Sequence, residues 1–366
     1  MSVINDLVTD VRVKKTCDEL VNLGYNVVLI GRKLPSSQQI PNWKFKAERM
    51  PLFFKTGIMF YFFFNVRLFF KLLFKKADLL FSNDLDTLLP NYLISKLKGV
   101  PLVYDSHELF CEVPELKKNP FKKRIWEWLE GSIVPKLTYA VTVNDSIANF
   151  YFEKYAVKFQ VVRNIAPVTT IFHIKTKQEL NIPMNKHMYI MQGAGINMDR
   201  GAEELVLAMR YIDDAVLYII GSGDVWSTLE KLITENGLNS KVILISKLPK
   251  AELMNYTLLA DIGISIDKDS NLNYRYSLPN KLFDYIQAEV PVLASRLVEV
   301  EKIVNTFQIG DFIETHDPKH IAEKLQQMQR SQSYKKWKEN LKHAKNVLTW
   351  EEERKVLINI IESIAK

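Results

Sequence analysis

Cysteine is scarce in this chain of 366 residues: Cys17 and Cys111 stand far apart and outside any CxxC spacing. That excludes a disulfide framework and a thiolate-rich zinc site, and it suits a reducing cytosol. The 13 glycines form neither GxxxxGK followed by Ser or Thr nor GxGxxG, so the P-loop and the dinucleotide fingerprint are both missing. No repeat of fixed period and no low-complexity tract appears, which excludes a solenoid and a largely disordered chain. The first residues, MSVINDLVTD, lack the basic-then-apolar order of an export signal, and no export is expected.

Hydrophobic residues make up 47% of the chain and charged residues 25%. These are ordinary values for packed globular domains, and the length suits two of them. The net charge of +7 is unevenly placed: residues 1–165 hold 24 Lys/Arg against 16 Asp/Glu, and the remainder holds 25 against 26. An excess confined to one half argues for an anionic surface facing that half, either phospholipid head groups or nucleic acid.

Strand and helix patterns alternate along the chain. After a very short opening strand (SVI), TDVRVKKTCDELVNLG has a Thr9/Asp10 cap signal, helical apolar spacing and a Gly24 stop, and NVVLIG is a continuous apolar strand. The rhythm runs on through ADLLFSND, VPLVYDSHE, YAVTVN and FQVVRN with helices between them, which predicts an α/β layer with a parallel sheet. From Ile165 to about Lys186 the pattern lapses, and a domain junction is expected there. A second series of HMYIMQG, AVLYIIGSG, KVILIS, ADIGISI, VPVLAS and QIGDFIE, again with intervening helices, predicts a second parallel α/β domain. The end of the chain reads as helical.

In parallel sheets, ligands collect beyond the carboxyl ends of strands, so the residues just after each strand carry the information. His107, in VYDSHELF, follows a strand directly and can face a cleft; the alternative is a capping cluster in which it is a polar surface residue. In MQGAGINMDRGAEEL, Gly193 and Gly195 precede a helix starting near Arg200 and Gly201. Small residues would let a diphosphate approach backbone amides and Arg200 would add charged hydrogen bonds, or the stretch is a plain turn with a surface arginine. IIGSGDV is adequately explained by turn chemistry.

In LPNKLFDYIQAEVPVLAS, Pro279 suits the first helical position and Ser277 can cap. Leu282 and Ile286 fall nearly opposite Asp284, with Asn280 and Lys281 on its side. Asp284 thus stands off the apolar stripe, as a ligand-facing acid or as a solvated charge paired with Lys281.

Arg49 to Lys76 carries six positive charges, no acid and nine of the twenty phenylalanines. A membrane span is disfavoured because Arg67 and Lys71 lie inside it, each costing roughly 2.5 to 3.5 kcal/mol near a bilayer centre. Arg67, Lys71 and Lys75 recur every four residues, which matches an interfacial helix on anionic lipid; the alternative is a core helix whose basic stripe is its wet face. No zinc spacing, RRM motif or KH loop supports nucleic acid.

In their order and spacing, TDVRV, VYDSHE, VVRN, GINMDRG, IIGSG, ELMNYTLLADIGIS and LPNKLFDYIQAEVPVLAS resemble glycosyltransferase family 4 over nearly the whole chain. The resemblance implies a GT-B fold: two facing Rossmann-like domains with parallel sheets and a C-terminal helical segment. Residues 1–164 would be the acceptor and membrane-facing domain, 165–345 the nucleotide-sugar-binding domain, and 346–366 a helix packing back on the first. It also implies that Asp284 bonds the donor ribose, that Arg200 with Gly193, Gly195 and the helix start at Asn280/Lys281 holds the diphosphate, and that His107 lies near the reacting sugar. The family's first acid would fall at Tyr276, its other basic residue at Gly195, and the glycine before Val-Pro-Val at Glu289, so the sugar stays unnamed.

The activity implied by the resemblance is that of a glycosyltransferase, retaining like the family. It would use a UDP- or GDP-sugar with no obligatory cofactor or metal, on a lipid-linked or glycan acceptor in capsule, exopolysaccharide or lipopolysaccharide assembly. Arg67, Lys71 and Lys75 would hold it on the inner face of the cytoplasmic membrane. The alternatives are a catalytically silent membrane-associated scaffold and a GT-B nucleotide-sugar epimerase.

Overall fold

The computed structural model describes residues 1–8, 10–117, 119–168 and 173–365. Met1–Asn164 with Glu353–Lys366 form one compact unit, and Ile165–Glu352 a second.

The first unit runs α1 (Val11–Asn22), β1 (Val28–Lys33), β2 (Lys46–Pro51), α2 (Gly57–Leu73), β3 (Leu80–Asn83), α3 (Leu85–Lys98), β4 (Leu102–Ser106), α4 (Pro114–Lys117), α5 (Pro120–Ile133), β5 (Tyr139–Thr142), α6 (Asp145–Tyr155) and β6 (Gln160–Val161). Asp10 caps α1 by accepting from the Val13 amide at 3.1 Å, and Gly24 ends it at φ +90°. Thr9, the other half of that cap signal, lies outside the described residues, as do residues 169–172 of the junction.

All pairings in this unit are parallel, in the order β2-β1 and β3-β4-β5-β6. The expected opening strand is a single bridging residue: Ser2 pairs with Ile30 on one side and Ser82 on the other and so joins the two sheets. Counting Ser2 as the first strand, the order reverses between it and β3. Of FQVVRN only Gln160 and Val161 pair. The patterning gave no sign of β2, because KAERMP is a polar edge strand in which Met50 alone is fully buried.

The second unit runs β7 (His187–Gly193), α7 (Ala202–Ala208), β8 (Ala215–Gly221), α8 (Trp226–Glu235), β9 (Val242–Ser246), α9 (Lys250–Leu259), β10 (Ile262–Ser265), α10 (Leu272–Arg275), α11 (Asn280–Gln287), β11 (Val292–Ala294), α12 (Val298–Phe307), β12 (Gly310–Phe312), α13 (Pro318–Arg330) and α14 (Ser333–Val347). The last helix, α15 (Trp350–Ala365), starts here and ends in the first unit.

Its sheet is parallel, in the order β12-β11-β10-β7-β8-β9. Met188 and Ile190 enter one core and Tyr189 and Met191 the other, the two-residue period of a strand buried on both faces. The strand order reverses between β7 and β10, the switch point where doubly wound sheets bind ligands beyond the strand ends. Here the glycines are required by proximity. A Cβ on Gly263 would lie 2.5 Å from the Tyr285 ring, and one on Gly221 would lie 1.8 Å from the Gly193 carbonyl oxygen.

Candidate functional site

Asp284 sits in the second turn of α11. Pro279 is the residue just before the helix rather than its first, and the Ser277 hydroxyl donates to the Tyr274 carbonyl instead of capping. The Asp284 partner is not Lys281: its Oδ1 accepts from Lys250 Nζ, and its Oδ2 accepts from Gln192 Nε2 at 2.8 Å. Gln192 is buried at the end of β7, and its amide is oriented by Thr257 Oγ1, which donates to Oε1 at 2.7 Å. Burial raises the Asp284 carboxyl above its ordinary range despite the Lys250 charge and these hydrogen bonds. A cavity of about 260 Å³ is lined by Asp284, Lys250, Met254, Phe283 and Gln287 among others, but not by Arg200 or Lys281.

Lys281 and Arg200 meet at a residue that strand-end logic should have selected. Asp267, two positions beyond β10, is fully buried and binds both: Lys281 Nζ lies 3.0 Å from its Oδ1, and Arg200 Nη1 donates to its Oδ2. Burial alone would raise the Asp267 carboxyl; Lys281 and then Arg200 outweigh it and hold the group below its ordinary range. The Arg200 guanidinium also lies over the Tyr274 ring, 4.2 Å from its centre. One carboxylate therefore serves two cations, and the cluster keeps an excess of positive charge.

The turn that carries Arg200 is fixed by backbone contacts. The Ile196 amide donates to the Ser222 carbonyl at 2.8 Å, and the Asp224 side chain accepts from the Met198 amide at 2.9 Å. Gly201, at φ +76°, passes so close to β10 that a Cβ would come 2.5 Å from the Ile266 oxygen. Gly193 and Gly195 thus stand in the same β7–α7 turn as Arg200, while Asn280 is exposed at the start of α11, next to Lys281. Arg200 and Lys281 are tied together by Asp267 near the switch point of one sheet, with Gly193 and Gly195 in the turn of Arg200 and Asn280 beside Lys281, while Asp284 is held by Gln192 and Lys250.

His107 belongs to the first unit and lies between two carboxylates. Its Nδ1 is 3.1 Å from Asp84 Oδ2, its Nε2 is 3.3 Å from Asp105 Oδ2, and its amide donates to Asp84 Oδ1 at 2.8 Å. Burial disfavours the charged ring, but Asp84 and Asp105 outweigh it and push the imidazole well above its ordinary range. Asp105 is itself held bidentately by Arg12, at 2.6 and 3.0 Å, and lies well below the carboxylate range because Arg12 and His107 overcome its burial. Asp84 has φ +58°, an uncommon backbone for a non-glycine residue, at the end of β3. The two flanking carboxylates favour the protonated ring, which makes His107 a poor proton acceptor.

The basic stripe on α2 differs from what its spacing predicted. Phe60, Phe64, Leu68 and Leu72 face the core, and Arg67, Lys71 and Lys75 flank that buried face. Lys71 and Lys75 each lie 2.9 Å from Glu48 of β2, and Arg67 donates to the Pro51 carbonyl. Burial would raise Glu48, but hydrogen bonds from Lys71 and Lys75 bring it down to about 2. The cations thus serve the unrecognised strand β2. The outward face of α2 is apolar instead, with Ile58, Met59, Phe62, Val66 and Phe70 exposed. Among the described residues, no helix is long and apolar enough to cross a membrane.

The fold has counterparts in known proteins. Sucrose-phosphate synthase from Thermosynechococcus elongatus superposes with a TM-score of 0.81 at 16% identity, covering 99% of this chain and 98% of that one. HepE from Anabaena, in complex with UDP and glucose, gives 0.74 at 13% identity over 99% and 98%. WaaG, a glycosyltransferase involved in lipopolysaccharide biosynthesis, gives 0.66 at 13% over 95% of each chain. At such identities the likeness concerns the fold. No curated protein matches the chain. Family models decide the rest: "Glycosyltransferase Family 4" matches residues 10–167, the unit of His107, and "Glycosyl transferases group 1" matches residues 173–344, the unit of Arg200, Asp267 and Asp284. Together they span both units, and the chain belongs to the family 4 glycosyltransferases of GT-B type.

Proposed function

We propose that the enzyme transfers a sugar from a nucleoside-diphosphate sugar to a lipid-linked glycan, with retention of anomeric configuration and no obligatory metal. The observation that carries this is the pair of cations, Arg200 and Lys281, tied to one buried carboxylate at the switch point of the second unit. In the transfer, the bond from the anomeric carbon to phosphate breaks with its electron pair going to the phosphate oxygen. The charge that develops there suits the excess positive charge of the cluster. Asp284 accepts from the ribose hydroxyls, for which each carboxylate oxygen keeps a lone pair beyond its bond to Lys250 or Gln192. The acceptor oxygen bonds to the anomeric carbon and its proton passes to the departing phosphate. His107, whose two ring nitrogens face Asp84 and Asp105, positions the sugar through its fixed place and charge rather than through a ring hydrogen bond.

The likeness to HepE with UDP and glucose supports UDP as the first donor to try, with GDP as the alternative. The exposed apolar face of α2, with Lys55 and Lys76 exposed at its two ends, supports contact with an anionic bilayer, in the assembly of a capsule, exopolysaccharide or lipopolysaccharide on the cytoplasmic side. The test is thermal unfolding with UDP, GDP and their sugars, on the wild type and on Arg200→Gln. At ligand about a hundredfold above Kd, roughly 2.7 kcal/mol of stabilisation is expected for the wild type, and far less for the variant. If no nucleotide raises Tm, the donor assignment is wrong.

A further inference from the structure

A large cavity in the first unit lies outside the charge clusters. A groove of about 860 Å³ runs between α2, α3 and α5, walled by side chains such as Tyr61, Val66, Phe69, Leu93, Phe110 and Trp126. Trp126 meets the edges of two of these rings, Phe110 at 4.9 Å and Tyr61 at 5.1 Å between centres. The walls offer little hydrogen bonding. The Asn65 amide that lines the groove is already spent on the Tyr61 and Asp86 carbonyls, at 2.8 and 3.0 Å. Lys122, Glu108 and Glu115 are its charged members.

We propose that this groove takes the hydrocarbon tail of a polyprenyl-phosphate-linked acceptor. The proposal deepens the glycosyl-transfer reading and rests on it. Three observations select this occupant. First, Glu108 lines the groove and is the residue after His107, so a chain seated there presents its head group beside the charged imidazole. Second, the groove is continuous with the exposed face of α2, since Ile58, Phe62, Val66 and Phe70 belong to both; a tail can enter from a bilayer without crossing water. Third, the volume is near the top of the range for small-ligand sites, which leaves room for a chain of several isoprene units. Lys122 supplies a cation for the phosphate.

The experiment uses farnesyl phosphate as a soluble probe and follows quenching of Trp126 emission, with Trp126→Phe identifying the signal. Val66→Trp and Leu93→Trp fill the groove from exposed positions, so folding should be retained; an unchanged UDP-induced shift in Tm verifies this. Saturable quenching of the wild type is expected, weakened about tenfold or more in both filled variants, with dodecyl phosphate binding the wild type several-fold less tightly. Absence of saturable binding, equal binding by the filled variants, or equal affinity for dodecyl phosphate overturns the proposal. So does a dimer that Leu93→Trp dissociates when no lipid binds, which would assign the groove to a second copy. A UDP shift without farnesyl phosphate binding defeats this proposal alone. Farnesyl phosphate binding without a UDP shift defeats the donor reading and leaves the groove.

Discussion

Two buried charge clusters stand at the strand ends of the two units, and they are balanced differently. In the second unit Asp267 holds Arg200 and Lys281, two cations on one carboxylate. In the first unit Arg12 and the His107 imidazolium face Asp105 and Asp84, so the charges cancel, and burial together with Asp84 raises the nearby Asp86 carboxyl well above its ordinary range. An excess of positive charge at low solvent exposure attracts a diphosphate, whereas a cluster whose charges cancel and which is rich in carboxylate acceptors suits hydroxyl groups. The difference predicts that anions couple to one cluster and not to the other.

The largest effect should come from removing each central carboxylate. Asp267→Asn leaves two cations without their counter-ion, and Asp105→Asn strands Arg12 and His107. Each should cost on the order of 3 to 5 kcal/mol in urea unfolding, as broken buried pairs do. Their response to UDP should differ. The added positive charge in Asp267→Asn should enlarge the UDP-induced rise in Tm relative to the wild type, and Asp105→Asn should leave it unchanged. An equal response in both variants would erase the contrast between the clusters.

The second effect is a pH dependence confined to the first unit. The folded His107 ring titrates well above its unfolded value of about 6.5, so its protonation stabilises the fold fully below that pH. The contribution is lost as pH rises toward the raised folded value. Urea unfolding of the wild type and His107→Asn between pH 6 and 9 should show the wild-type advantage falling by up to about 1.4 kcal/mol per pH unit. An advantage that grew with pH would show that the ring is neutral in the folded protein and that the two carboxylates do not govern it.

The contrast was only partly legible in the sequence, for physical reasons. Alternating apolar strands and helices gave both sheets, because burial on two faces leaves continuous runs such as VLYII in β8. Arg200, Lys281 and Asp284 were singled out by their places after strands and at the start of a helix. Their partners were not, because ion pairs such as Lys250 with Asp284, 34 positions apart, have no local spacing. Asp267 was within reach, since it stands two residues beyond a strand that was recognised. The basic stripe on α2 misled because helical spacing shows that cations share a side and cannot show which side faces the core. Glu48, on a strand with no apolar alternation, decided that.

The smallest effect tests the frame rather than either cluster. Glu289 stands just after α11, at the position where a left-handed residue ends many helices, and has φ +56°. A residue with a Cβ is strained there by roughly 1 to 2 kcal/mol, part of which glycine returns through its greater unfolded-state entropy. The Lys345 pair at 3.1 Å, with both side chains about one-third exposed, offsets a few tenths more. Glu289→Gly should therefore raise stability by about 0.5 kcal/mol, whereas Glu289→Ala, which keeps the strain and loses the pair, should lower it slightly. Neither change touches Asp284, Asp267 or His107, so the UDP-induced shift in Tm should be unaltered in both. A changed shift would mean that the end of α11 sets the position of Asp284, and that the anion response belongs to the helix as much as to the charges.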